Sequence, residues 1–172
     1  MNTVIVDSLL ITLSTSKKLL NELTAAPYSC KEVAPYYSSI GTHIRHVLDF
    51  YTCIFKGLDR KYVDLTSRGR NQRIENDRNC AISEIELIEN HLRTLYSADL
   101  NELITVEDDL GNGVITIDYT LGALLAQANS HTIHHYAIIA YILDGLGVDI
   151  QDENFGYNPT TPAQRIEHTK AS

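Results

Sequence analysis

The sequence predicts an all-α chain: a four-helix bundle with one short β-hairpin between the third and fourth helices. Three observations carry this expectation. Three stretches repeat apolar residues at about 3.6-residue spacing, the mark of amphipathic helices. A fourth, residues 121–146, is apolar nearly all round and so belongs at the centre of a bundle. Between the third and fourth, alternating β-branched residues flank an Asn-Gly pair, the signature of a hairpin.

In chain order, residues 3–25 place Ile5, Leu9, Leu13, Leu20 and Leu23 on one face, with Asp7, Lys17, Lys18 and Glu22 mostly elsewhere. Pro27 and Pro35 bracket a connection that no helix crosses unbroken. Ser38 or Ser39 caps a second helix that runs to about Lys56, before Gly57. Its apolar face holds Ile40, Val47, Ile54 and either Phe50 or Tyr51, and Arg45 and Asp49 form an i,i+4 pair.

Residues 59–77 turn polar and read as a solvated connection. The sharper alternative is a lid or subunit contact in which Arg68, Arg70 or Arg73 meets an anionic substrate group. Ala81, Ile85, Ile88, Leu92 and Leu95 then define a third helix, capped by Asp77 or Asn79. The hairpin follows, and because a lone hairpin is marginal in water it must lie on the helices or on a partner. Thr120 caps the fourth helix, Gly145 and Gly147 end it, and Phe155 tucks back from an irregular tail.

The chain of 172 residues reads as one domain, 1–172, with 44% hydrophobic and 21% charged residues, a globular balance. A formal charge of -8 argues against nucleic acid and anionic lipid as partners. The start lacks a basic, apolar leader pattern, and Gln127, Asn129, Ser130 and three histidines interrupt the longest apolar run. Cys30, Cys53 and Cys80 are odd in number and widely spaced, as expected of reduced thiols in a cytoplasm.

Chemistry concentrates in Ser130-His131-Thr132-Ile133-His134-His135-Tyr136. His131 and His135 are one helical turn apart and project from one face, a spacing that lets two imidazoles share a metal. Thr132 follows His131, so the Glu of the H-E-x-x-H protease motif is missing. A third ligand must come from another helix. His46, His131 and His135 form the favoured triad, with His134 and His43 as substitutes. Imidazoles suit zinc, nickel, iron or copper, and three leave a coordination position open. Asp49, Asn129, Ser130, Tyr51, Tyr136 and Cys53 are within helical reach as supporting groups.

Residues 39–51, Ser39-Ile40-Gly41-Thr42-His43-Ile44-Arg45-His46-Val47-Leu48-Asp49-Phe50-Tyr51, together with His131-Thr132-Ile133-His134-His135, resemble the DinB-like (DinB/YfiT) family of metalloenzymes. The resemblance extends through Arg73-Ile74-Glu75-Asn76-Asp77 and Phe155-Gly156. It implies a four-helix bundle with a crossover, a homodimer, and a divalent metal, zinc or nickel, on His46, His131 and His135. It also implies S-transfer or isomerisation with a low-molecular-weight thiol and a small-molecule substrate. Where family members often follow the last ligand with Arg-Gly-Gln, this chain has Tyr136-Ala137-Ile138, which removes any guest contact made from those positions. The competing expectations are a metal-dependent hydrolase and a non-catalytic, metal-stabilised dimerisation or binding bundle.

Overall fold

The computed structural model describes residues 2–161. Four long helices, α1 (Asn2–Glu22), α3 (Ile40–Leu58), α5 (Arg78–Thr94) and α6 (Leu121–Gly145), pack about one core. Each of α1 and α3 lies against both α5 and α6. Two short helices, α2 (Ala25–Ser29) and α4 (Gln72–Asn76), and three strands, β1 (Tyr62–Asp64), β2 (Leu103–Asp109) and β3 (Val114–Thr120), complete the chain. The sheet is mixed: β2 pairs antiparallel with β3 and parallel with β1, in the order β1-β2-β3.

The all-α, four-helix-bundle expectation is therefore corrected to a mixed α/β architecture. The hairpin forms where the sequence put it, but it is part of a larger sheet. β1 lies in the stretch read as a solvated connection, where Tyr62, Val63, Asp64 and Leu65 alternate outward and inward. Val63 and Leu65 are buried beside Ile104 and Val106 of β2 in the common core. A parallel third strand gives the free edge of β2 a hydrogen-bonding partner, which the hairpin alone would lack. Three residues are too few for periodicity to stand out against charged neighbours.

Capping follows the sequence closely. Ser39 accepts from the Thr42 amide, Asp77 from that of Asn79, and Thr120 from that of Ala123. Leu9, Leu13 and Leu20 of α1 meet Ile44, Leu48 and Ile54 of α3 in one cluster. Phe50 and Tyr51 are both buried. Pro27 sits third in α2, inside the first turn, where its missing N–H costs nothing. Phe155 returns to stack on Tyr136 at 5.0 Å. One expectation about α6 needs adjusting: Ala123, Ala126, Ser130, His134 and Tyr141 form an exposed stripe, so this helix is not enclosed on all sides.

Two glycines of α3 set the path around it. A Cβ at Gly57 would strike the Tyr62 carbonyl and Val63, and one at Gly41 would strike the Glu75 carbonyl. The chain from β1 to α4 thus leaves the C-terminal end of α3 and returns to its N-terminal end. Arg45 fastens the return, donating to Asp49 at 2.6 Å and to Glu75 at 3.1 Å.

Candidate metal centre

His46 projects from the middle of α3, and His131 and His135 from successive turns of α6. The packing of α3 on α6 brings the three rings together. Their centroids are 4.9 Å (His46–His131), 4.7 Å (His46–His135) and 4.6 Å (His131–His135) apart. One ring nitrogen from each lies within 4.8 Å of the others. Zinc–nitrogen bonds of about 2.0–2.1 Å place tetrahedral ligand nitrogens roughly 3.4 Å apart, a separation that lies within this limit.

The surroundings distinguish the three rings. His135 is 8% exposed, and its Nδ1 is 2.9 Å from Nδ1 of His43, whose Nε2 is 2.7 Å from Ser38 Oγ. Ser38, His43 and His135 thus form a hydrogen-bonded line that orients the His135 ring. Such a contact is the usual way a ligating imidazole is oriented. Phe50 stacks on His131 at 4.9 Å. The Nε2 of His131 is buried and has no hydrogen-bond partner among the described residues. An unsatisfied buried ring nitrogen costs on the order of 1–3 kcal/mol, and a metal ion is the natural acceptor of its lone pair.

All three imidazoles are held neutral. Burial, followed by the charges of His131, Arg68 and Arg45, lowers the pKa of His46 to about 4. Burial, then His131 and His46, lowers that of His135 to about 3. His131 is lowered by burial and Arg68, with Asp108 opposing, and His43 by burial and His134. Near neutral pH each ring therefore keeps its lone pair, as ligation requires.

The other residues singled out in the sequence have different partners. His134 is exposed, and His91 lies on the surface, stacked on Phe55 at 5.0 Å. Asp49 is held by Arg45. Tyr51 donates to Thr132 Oγ1 or accepts from it at 3.2 Å, and Tyr136 donates to the Thr12 carbonyl at 2.9 Å; both are core residues. Cys53 is buried, with its thiol 3.6 Å from the Ser67 carbonyl. Of Arg68, Arg70 and Arg73, only Arg68 reaches the cluster, with Nη1 3.4 Å from His46 Nδ1. Sequence reasoning had left His43 as a substitute ligand; its place behind His135 depends on how the helices pack, which spacing alone does not reveal. Comparisons with protein-family models, curated proteins and solved structures found no significant match.

Proposed function

We propose that the chain is a divalent-metal protein of the DinB-like kind, with His46, His131 and His135 as ligands and a fourth position open to a small thiol. The single observation that carries this reading is the buried, partnerless Nε2 of His131 beside two other neutral imidazoles. Without an ion, the desolvation of that one nitrogen is offset by nothing, whereas His135 and His46 each have a contact of their own. Zinc and nickel both suit an all-imidazole set.

A divalent ion held there lowers the pKa of a coordinated thiol, giving a thiolate nucleophile near neutral pH. The residues around the triad suit that chemistry. Asp49 is neutralised by Arg45, and Tyr51 and Tyr136 are buried in the core with partners of their own. The groups that touch the triad include the imidazoles of His43 and His134, the Phe50 ring and the Arg68 guanidinium. Such a set stabilises an anionic nucleophile. The reading is therefore thiol-dependent S-transfer, with Ser38 and His43 orienting His135.

The test is metal analysis and calorimetric titration of untagged protein with zinc and nickel. Wild type is expected to bind one ion per chain, and His135→Ala to lose binding while retaining its helical circular dichroism. Full occupancy in that variant excludes the triad. Turnover with thiols and small electrophiles separates a transferase from a metal-stabilised binding module.

A further inference from the structure

Arg68 is placed with more care than a loop arginine needs. Asp64 Oδ1 accepts from the backbone amides of Thr66 and Ser67 at 2.8 Å and 3.1 Å, closing a tight turn. Buried Leu65 anchors that turn to the sheet by donating its amide to the Glu107 carbonyl at 2.9 Å. From this base Arg68 folds back, its Nε donating to the Leu65 carbonyl at 3.0 Å, and its Nη1 reaches His46.

No carboxylate among the described residues forms an ion pair with Arg68. Of the acids in its neighbourhood, Asp49 is held by Arg45 and Asp64 by the turn, and Asp108, which also acts on His131, makes no ion pair with it. Arg70 and Arg73 are exposed, whereas Arg68 is half-buried. A half-buried guanidinium without a counter-ion, beside uncharged imidazoles, is an anion site in waiting.

Its one contact to the triad depends on the tautomer of His46. Guanidinium only donates, so His46 Nδ1 must present a lone pair to Arg68. If a metal takes Nδ1, that lone pair is gone. If a metal takes Nε2, the neutral ring carries its proton on Nδ1 and offers Arg68 a hydrogen instead. Either mode of ligation ends the contact, and at 3.4 Å it is long enough to yield easily.

We infer that Arg68 is the guest-anchoring residue of the site: metal ligation by His46 releases its guanidinium, which then takes the carboxylate of a small anionic thiol bound beside the ion. This rests on the proposed metal triad and adds the substrate class to it. The planar fork of Arg matches a carboxylate, and Nη2 has no acceptor among the described residues. By linkage, a carboxylate guest should tighten metal binding as much as the metal tightens the guest.

The experiment compares 3-mercaptopropionate with the neutral 3-mercapto-1-propanol, using cobalt-loaded protein followed by its visible spectrum and calorimetry. Wild type is expected to bind the carboxylate thiol about tenfold more tightly, the scale of one charge-assisted pair. Arg68→Gln should bind the two thiols equally while holding cobalt as tightly as wild type or more so, and Arg68→Lys should keep part of the preference. Three results overturn the inference. They are equal binding of the two thiols by cobalt-loaded wild type, a preference that survives in Arg68→Gln, or a tenfold loss of cobalt affinity in that variant, which would make Arg68 a structural support. If wild type binds no cobalt, zinc or nickel, the triad reading falls and this inference falls with it. If cobalt binds but the thiols are not distinguished, only the role of Arg68 is lost.

Discussion

His135 shows what the site demands of one residue. Its ring is buried against four other imidazoles, those of His43, His46, His131 and His134, and protonation there sets positive charge against them in poor solvent. The folded pKa, about 3, lies far below the ordinary 6.5, and that of His46, about 4, does too. As pH falls below 6.5 the unfolded chain takes up protons that the folded chain refuses, so stability present above that value drains away toward the folded pKa values. Metal-free protein is therefore expected to melt at progressively lower temperature between about pH 7 and about pH 5, with His135→Gln showing a shallower slope. A level melting temperature across that range defeats the account. At this scale the His131–His135 pair was legible from its four-residue spacing on an apolar helix, whereas the third partner stayed open among His46, His43 and His134 until packing placed His46 beside the pair. The choice of Arg68 from three loop arginines was not legible, because it depends on where Asp64 closes a turn.

The elements are arranged by close approach as much as by hydrophobic pattern. Gly41→Ala adds a methyl where the Glu75 carbonyl already lies, so α4 and the N-terminal end of α3 must separate. Alanine favours helix by roughly 0.5–1 kcal/mol over glycine, but overpacking against backbone costs about 1–3 kcal/mol. The net expectation is a lower urea midpoint and a weakened Arg45–Glu75 pair. An unchanged or higher midpoint shows that the approach is softer than drawn. The long helices were readable because four or more turns repeat the same apolar stripe, and their caps because Ser39, Asp77 and Thr120 immediately precede those stripes. β1 and α4 were not, since three and five residues fix no period. Their existence is decided by what β2 and α3 leave to be covered, and that one omission turned an all-α expectation into the wrong class.

For the molecule as a whole, the proposed ion would join α3 to α6, elements that otherwise meet through side chains alone. Binding only the folded state, a metal at about a hundredfold its Kd contributes about 2.7 kcal/mol. In a domain of this size that raises Tm by roughly 5–10 °C. Chelator should remove the increase, and His135→Ala should not show it; an equal rise in that variant would place the ion elsewhere. The return of the chain along α3 has a further consequence. Its two seats are contacts of backbone with glycine, so they are indifferent to the side chains at residues 66–73 that lie between them. Of the side chains in that interval, Arg68 is the one that touches His46, so substitutions at its neighbours leave both the seats and that contact in place. On the proposed reading, guest preference can be retuned one substitution at a time while both glycine seats stay in place.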